Sequence, residues 1–201
     1  IVTGISHESV SLLFMEKLNE EFEGKLSLAI QVFKGTYPKL FLHQLVSSQL
    51  DVDRLDYLNR DSFYTGVLEG KIGAQRIIRM LNIEQGRLVV EEKGVYSIEK
   101  FIIARRLMYW QVYLHKTVLA AEHLLVNILI RAKELVSSGE KLFATPAFSY
   151  FLENNCTEND LRNNRELLQS YAMLDDYDIF SSIKVWADHS DQVLSRLCKG
   201  M

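Results

Sequence analysis

The length, composition and charge of the chain limit its fold and its partners. Its 201 residues suffice for one domain or one and a half, with an ample core. Hydrophobic residues make up 48% and charged residues 24%, which is an ordinary globular composition. The net charge of -3 gives no overall field that would recruit nucleic acid or an anionic membrane, so neither is expected as a partner.

Processing and redox signals are sparse. Apolar runs are short and interrupted by charge, and no secretory leader opens the sequence. Cys156 and Cys198 are isolated thiols without C-x-x-C spacing, which argues against a disulfide framework and a zinc knuckle. We therefore expect a cytoplasmic protein. Because the sequence opens at Ile1 without an initiator Met, we also expect it to be a piece of a longer protein.

The spacing of apolar residues predicts helices along most of the first half. With two prolines and ten scattered glycines, long helices are permitted almost everywhere. In chain order the predicted helices cover about 7–22, 25–33, 38–46, 48–66 and 71–81. The stretch Arg87 to Glu92 is the best strand candidate, and Gly94 to Tyr96 is predicted to return beside it as a small hairpin.

The second half is predicted to be helical throughout. From Ser97 to Ser138 there is neither proline nor glycine, so this span is one very long helix or two helices with a kink. Further helices are predicted at about 146–153, 160–173, 178–188 and 191–197, with Asp175 and Asp176 as capping residues. The predicted fold class is mainly α, one compact body with a minor β-hairpin.

The stretch from Ser48 to Gly66 gathers an unusual set of polar residues. Drawn as a helix, it places Asp53, Arg54, Tyr57 and Asp61 within an arc of roughly 100°. A metal ion and a phosphorylated ligand would use all four side chains. The alternative is a solvated face with ion pairs between residues four apart, and spacing alone favours that alternative. Val52, Leu55 and Leu58 are expected to face a core.

Two further patterns are compatible with chemistry. Arg105, Tyr109, Tyr113 and Lys116 project within an arc of about 80° on the long predicted helix. Cations interleaved with phenols suit a phosphate chain beside a sugar or base, although an amphipathic surface is the more common explanation. The doublet His7-Glu8 stands at a helix start, where it could compensate the helix dipole or exchange protons near neutral pH.

Residues 51–61, DVDRLDYLNRD, closely resemble a segment of the HD-superfamily phosphohydrolases, in the branch of the dNTP triphosphohydrolases (dGTPase-like). Three other segments agree with this resemblance: His7-Glu8, RRLMYWQVYLHK at 105–116, and LDDYDIFSSIKVW at 174–186. The resemblance spans about residues 6 to 190. It implies an HD-domain-like helical bundle, and it implies specific roles for the polar residues of the stretch 48–66.

By position, the resemblance implies one metal ligand and a set of nucleotide contacts. Asp53 matches the metal-ligand aspartate, and Arg54 matches a basic residue on the phosphates. Residues matching the deoxyribose and phosphate contacts are Tyr57, Asp61, Arg105 and Tyr113, with Tyr109 standing where the family has a His near the triphosphate. Residues matching the lining of the catalytic centre are His7 and Glu8; those matching an effector-nucleotide site at a subunit interface are His115 and Lys116.

The activity implied by the resemblance is hydrolysis of a dNTP to a deoxynucleoside and triphosphate, assisted by a divalent metal (Mg, Mn or Fe). A nucleotide effector and a homo-oligomer are further expectations. The HD site also needs an earlier His and the HD doublet, which do not occur in these residues, so we expect residues 1–201 to be the later portion of the catalytic domain with its following helices, inactive alone. The alternatives are an HD hydrolase of a nucleoside monophosphate, a cyclic dinucleotide or an alarmone, and a non-catalytic HD-fold module for regulation or assembly.

Overall fold

The computed structural model describes residues 2–201, and its regular structure is mainly helical. The α-helices are α1 (His7–Glu21), α2 (Ser27–Phe33), α3 (Leu40–Val46), α4 (Val52–Thr65), α5 (Ala74–Met80), α6 (Val95–Met108), α7 (Lys116–Ser137), α8 (Pro146–Glu153), α9 (Glu158–Asn163), α10 (Arg165–Ala172), α11 (Asp176–Trp186) and α12 (Gln192–Gly200). The strands are β1 (Val2–Thr3), β2 (Leu81–Glu84), β3 (Arg87–Val90) and β4 (Cys156–Thr157). The prediction of a mainly α fold with a small hairpin is confirmed.

The chain divides into two compact units. The first unit contains the residues up to Phe14 together with Ala120–Met201, and the second contains Met15–Leu119. In the first unit, β1 and β4 pair in parallel, with Val2 opposite Cys156. This pairing joins the start of the chain to residues far along it.

Two hydrophobic clusters stabilise the first unit. One contains Ile128, Phe148, Trp186 and Leu194, each no more than 1% exposed, and Trp186 donates its indole N–H to the Phe143 carbonyl at 2.9 Å. The other packs Leu13 of α1 with residues of α8 to α10, centred on Phe151 and Leu161. Burial of these large apolar side chains is the main source of stability here.

Side-chain caps fix where the helices of the first unit begin. Asp175 caps α11 in a reciprocal capping box with Asp178, which confirms the predicted capping role of Asp175, whereas Asp176 is the first residue of the helix and Asp178 completes the cap. The helix predicted over about 160–173 is instead two helices. Asn164 interrupts it because its side chain accepts the backbone N–H of Leu167 and thereby starts α10.

The core of the second unit lies between α4, α5 and α6. Its buried members are Leu55, Leu58, Ile72, Ile77, Phe101, Ala104 and Met108. The predicted start of α3 at Pro38 was two residues early, since the helix begins at Leu40. The structure therefore places α4 and α6, the two helices with the predicted site residues, on a shared apolar core.

The hairpin uses a different partner from the one predicted. β3 pairs antiparallel with β2, which precedes it, so that Leu81 lies opposite Val90. Gln85 and Gly86 both have positive φ, 49° and 75°, as a two-residue hairpin turn requires. The predicted partner at Gly94 to Tyr96 was wrong, because these residues enter α6 through a 3-10 turn at Glu92–Gly94.

The long span after Ser97 is two helices, as the second of the two predicted alternatives stated. α6 is followed by a π-helical turn at Tyr109–Tyr113, in which the Leu114 N–H reaches the Tyr109 carbonyl at 2.7 Å. α7 then begins at Lys116. Across residues 2–201 the helices fall short of the length and apolarity needed to cross a membrane.

Candidate functional site

The polar face of α4 begins at a buried N-cap. Asp51 is 2% exposed, and its Oδ1 accepts the backbone N–H of Arg54 at 2.8 Å. Leu55 and Leu58 are buried as expected, whereas Val52 is 57% exposed and lines a surface cavity of about 500 Å³. The prediction for Val52 was wrong because the first turn of the helix extends past the core that the next turns contact.

Both interpretations of α4 find support in the structure. Arg60 and Asp56 form the ion pair expected of a solvated face, with 2.6 Å between the guanidinium and the carboxylate. Asp53 is exposed, while Arg54, Tyr57 and Asp61 are half-buried. The latter three therefore belong to a different environment from the exposed ion pair.

The π-helical turn after α6 meets this half-buried face. The Tyr113 hydroxyl donates to Asp61 Oδ2 at 2.7 Å, and the ring centroids of Tyr57 and Tyr113 are 6.1 Å apart in an edge-to-face arrangement. Tyr109 lies 5.2 Å from Tyr113, and the Arg105 guanidinium carbon is 5.7 Å from the centre of the Tyr109 ring. Six predicted residues thus lie together, and we name them the arginine–tyrosine cluster: Arg54, Tyr57, Asp61, Arg105, Tyr109 and Tyr113.

The surroundings raise the pKa of two phenols of this cluster, those of Tyr57 and Tyr113. Burial raises the pKa of Tyr57, against the opposing effect of the Arg105 and Arg54 cations. Burial, together with the hydrogen bond to the Asp61 carboxylate, raises the pKa of Tyr113 far above its ordinary value. Both hydroxyls therefore keep their protons at neutral pH, and the proton of Tyr113 is the one donated to Asp61.

The two arginines of the cluster are anchored by residues that sequence reasoning left without a role. Arg54 donates to the Asp51 carboxylate and to the Ser48 carbonyl, the latter at 2.7 Å. Arg105 donates to Gln49 Oε1 at 3.1 Å. The available signal was an aspartate three residues before an arginine at a helix start, which is typical of an N-cap.

Each of these guanidinium groups also holds a donor that the rest of the chain leaves unused. The Nε atoms of Arg54 and Arg105 are buried and have no hydrogen-bond partner within residues 2–201. A buried donor without an acceptor is costly, and most native structures avoid it. The described part of the chain therefore uses only part of the hydrogen-bonding capacity of these two cations.

The remaining predicted site residues lie outside this cluster. His7 and Glu8 belong to the first unit and are exposed, and His7 Nε2 lies 3.1 Å from Glu8 Oε1. The pKa of the Glu8 carboxyl is lowered by hydrogen bonds from the Glu8 backbone N–H and from the Ser6 side chain. Their catalytic role stays a prediction. His115 and Lys116 are exposed at the start of α7. The π-helical turn at Tyr109–Tyr113 separates Lys116 from the helix that carries Arg105, so the predicted single helical face does not continue to Lys116. Their effector role also stays a prediction.

The metal implied by the sequence resemblance is not matched by a complete set of ligands. Asp53 offers one exposed carboxylate, and nowhere in the described part of the chain do three or more His, Cys, Asp or Glu residues lie so that they could hold a metal ion. The HD-type site that the resemblance implies uses an earlier His and the HD doublet besides this aspartate, so Asp53 alone does not make up its ligand set. The residues present therefore do not by themselves fit the metal.

Comparisons with known proteins agree with the sequence resemblance. Residues 72–142 match a family model described as the HD associated region. A crystal structure titled phosphohydrolase, from Bacteroides thetaiotaomicron, is 59% identical and superimposes with a TM-score of 0.96, covering 99% of this chain and 49% of that one. Uncharacterized protein YwfO of Bacillus subtilis is 36% identical over 84% of this chain and 37% of its own length.

A more distant relative has a more specific name. The deoxynucleoside triphosphate triphosphohydrolase SAMHD1 homolog of Dictyostelium discoideum is 23% identical over 52% of this chain and 21% of its own length. The chain spans about half or less of the length of each of these proteins. The chain is thus similar to the HD associated region at residues 72–142 and, over part of their length, to proteins named as phosphohydrolases.

Proposed function

We propose that this chain forms the nucleotide-contacting portion of an HD-type dNTP triphosphohydrolase, which releases a deoxynucleoside and triphosphate. The observation that supports it best is the hydrogen bond from Tyr113 to Asp61, 2.7 Å long, which joins the π turn to α4. Through this contact two guanidinium groups, three phenols and a carboxylate from separate elements come together. The motif that suggested a nucleotide site in the sequence thus corresponds to a cluster in space.

The chemistry of the cluster suits the two ends of a deoxynucleoside triphosphate. Arg54 and Arg105 supply planar, permanently charged donors for phosphate oxygens and would offset negative charge that develops during hydrolysis. Asp61 would accept from the 3'-hydroxyl while Tyr113 fixes the orientation of its carboxylate. Tyr57 and Tyr109 provide aromatic edges and faces beside the sugar.

The charges around the cluster also explain why a cation would be needed. The cluster and the first turn of α4 together carry three carboxylates, those of Asp51, Asp53 and Asp61, and two guanidinium groups, those of Arg54 and Arg105. Their balance is negative, which opposes the approach of a polyphosphate. We propose that Asp53 gives one ligand to a divalent cation, and that the earlier His and the HD doublet give the others from residues outside this chain.

The other assignments belong to the same proposal. Residues 1–201 are the later portion of the catalytic domain and the helices after it, with His7 and Glu8 lining the catalytic centre. The protein in its full natural length is a homo-oligomer in which His115 and Lys116 contact an effector nucleotide.

A substrate panel tests the proposed activity directly. The protein in its full natural length is incubated with each dNTP and Mg²⁺, Mn²⁺ or Fe²⁺, with and without a second nucleotide as activator, and triphosphate is quantified. We expect triphosphate and deoxynucleoside in equal amounts. Orthophosphate from a nucleoside monophosphate, or cleavage of a cyclic dinucleotide or an alarmone, would move the assignment to another HD hydrolase; no turnover of any of these would favour a non-catalytic module.

Substitution of the proposed ligand tests the metal assignment. In the full-length protein Asp53→Ala should remove bound metal and turnover while the fold is retained, because Asp53 is exposed and its side chain is not part of the core. Metal content by elemental analysis and the far-UV circular dichroism spectrum are the two measurements. Unchanged metal content and activity would refute the assignment of Asp53.

A further inference from the structure

The turn formed by Ser48 to Asp51, which precedes α4, contacts both arginines of the cluster. The Ser48 carbonyl accepts from Arg54 Nη1 at 2.7 Å, and Asp51 Oδ2 accepts from the same nitrogen. Gln49 Oε1 accepts from Arg105 Nη1 at 3.1 Å. One turn of four residues therefore supplies acceptors to guanidinium groups that are attached to two different helices.

Hydrogen bonds within the turn keep these acceptors in place. The Ser48 N–H donates to Asp51 Oδ2 at 3.3 Å, and the Leu50 N–H donates to Ser48 Oγ at 3.2 Å. Asp51 Oδ1 caps α4 by accepting the Arg54 N–H at 2.8 Å. The two oxygens of Asp51 thus have different partners, since Oδ1 caps the helix and Oδ2 contacts the guanidinium group of Arg54.

We infer that residues 48–51 form a positioning turn, in which Asp51 and Gln49 orient the guanidinium groups of Arg54 and Arg105 toward the phosphates of the substrate. This inference rests on the proposed function. Each guanidinium has one terminal nitrogen tied to the turn, which fixes the plane of the group. The Nε–H donors of both arginines are buried and have no partner within residues 2–201, so the turn uses only part of the hydrogen-bonding capacity of each guanidinium group.

Fixing the guanidinium groups in advance favours binding because less side-chain entropy is lost when phosphate arrives. The Asp51 charge acts in the opposite direction. Its carboxylate is buried beside Arg54 and would repel a phosphate, so its neutralisation should tighten anion binding if charge alone mattered. The positioning role and the charge effect therefore predict opposite signs for the same substitution.

Asp51→Asn separates these effects. Asn keeps an oxygen for the cap at Arg54 N–H, but it replaces Oδ2 with an amide nitrogen that cannot accept from Arg54 Nη1. We expect inorganic triphosphate to bind about tenfold more weakly, and the KM for dGTP to rise by about the same factor, because a charge-assisted hydrogen bond is lost. Binding is measured by calorimetry on the protein in its full natural length.

The first unit offers a matched control. Asp191 also caps a helix through Oδ1, which accepts the Leu194 N–H at 2.7 Å, and also contacts an arginine through Oδ2, 2.6 Å from Arg131 Nη2. Asp191→Asn makes the same chemical change outside the cluster. Like Asp51→Asn, it should lower the free energy of unfolding, because a carboxylate that contacts an arginine is lost, but it should leave the affinity for triphosphate unchanged.

A double-mutant cycle tests whether Asp51 acts through Arg54. In an Arg54→Lys background the planar fork is absent, so Asp51→Asn should have a much smaller effect on triphosphate affinity than in the wild type.

Gln49→Ala should weaken triphosphate binding by about fivefold through Arg105, since one neutral-to-charged hydrogen bond is lost. Gln75→Ala, an exposed glutamine on α5, is its control and should have no effect.

The outcomes separate this inference from the proposed function. Triphosphate binding that weakens in Asp51→Asn supports the positioning turn, even if the wild type hydrolyses no dNTP and the proposed activity is wrong. Unchanged or tighter binding in Asp51→Asn, or equal effects in the wild-type and Arg54→Lys backgrounds, would overturn the inference while leaving the activity intact. Failure of the wild type to bind triphosphate would overturn it as well.

Discussion

At the scale of single residues, the contact between Tyr113 and Asp61 links the two helical segments of the candidate site. The hydroxyl donates to a carboxylate oxygen at 2.7 Å, and both side chains are half-buried. Hydrogen bonds to charged groups contribute more than neutral ones, and partial exposure reduces that contribution. The pair therefore combines modest stabilisation with a large effect on the orientation of Asp61.

Removal of the Tyr113 hydroxyl should affect both stability and substrate binding. Tyr113→Phe keeps the ring and should lower the free energy of unfolding by about 1 kcal/mol, because only the hydrogen bond is lost. The KM for a dNTP should rise, since the Asp61 carboxylate is no longer oriented. Urea denaturation and steady-state kinetics are the measurements. Tyr64→Phe, at a tyrosine that is 79% exposed, is the control; equal stability losses in both variants would contradict the prediction.

Asp191 allows a prediction of pH dependence. Hydrogen bonds from Arg131 lower the pKa of its carboxyl to about 2, below the ordinary value of 3.8. A lowered pKa in the folded state means that the carboxylate stabilises the fold above pH 3.8, and that this stabilisation is lost as the pH falls toward 2. The stability advantage of the wild type over Asp191→Asn should therefore shrink between about pH 4 and pH 2.

Urea denaturation of both proteins at several pH values across this window measures the effect. Asp176→Asn, an exposed aspartate in the first turn of α11, is the control for changes in general charge. A difference between the wild type and Asp191→Asn that stays constant from pH 7 to pH 2 would show that the carboxylate of Asp191 contributes nothing through its charge.

At the scale of secondary-structure elements, the separation of α4 and α6 is set in part by a residue without a side chain. A Cβ built on Gly70 would meet the Met108 side chain, with Cγ at 2.7 Å, and Ser62 Cβ at 3.0 Å. Met108 belongs to α6 and Ser62 to α4, so Gly70 is packed against side chains of both helices. The positions of the arginine–tyrosine cluster depend on this packing.

Gly70→Ala should therefore destabilise the second unit. Its added methyl group must displace Met108 or Ser62, at a cost of about 1–3 kcal/mol in the free energy of unfolding. Gly73→Ala is the control, because its nearest side-chain atom, on Arg76, would be 3.9 Å from the new Cβ. Urea denaturation compares the two. If Gly70→Ala is as stable as Gly73→Ala, the proposed close packing of α4 and α6 at this point is wrong.

How much of the fold the sequence predicts also becomes clear at this scale. Helical periodicity predicts α8 and most of α4 well because their apolar spacing and breakers agree with one another, but α4 begins at Val52, four residues after the predicted start at Ser48. The partner of β3 was misplaced because Leu81 to Glu84 continues the apolar pattern of α5 and has no strand signal of its own. Its strand state depends on pairing with β3, which no local pattern encodes.

The candidate site shows the same division. The spacing of Asp53, Arg54, Tyr57 and Asp61 identified one face, and Arg105 to Tyr113 identified another. That the two faces meet depends on the tertiary packing of α4 against α6 and on the π turn, which adds one residue to the helical register. The anchoring role of Gln49 was missed for the same reason, since Gln49 contacts an arginine on a different helix, whereas the contact between Asp51 and Arg54 is local and follows the N-cap pattern.

At the scale of the whole molecule, each unit has its own hydrophobic clusters, and the arginine–tyrosine cluster lies entirely within the second unit. The second unit supplies cations, phenols and the carboxylate of Asp53, but within the described residues no group of three or more potential metal ligands is present. Nucleotide binding that depends on a metal should therefore require residues beyond those in this chain.

Stabilisation by ligand tests this requirement in one experiment. With Mn²⁺ and a non-hydrolysable dNTP analogue at 100 times its Kd, the full-length protein should gain about 2.7 kcal/mol in apparent stability, seen as a rise in Tm. The 201-residue chain alone and full-length Asp53→Ala should show no rise that depends on Mn²⁺. An equal rise in the 201-residue chain would mean that its own residues complete the metal site, and the division of ligands proposed here would then be wrong.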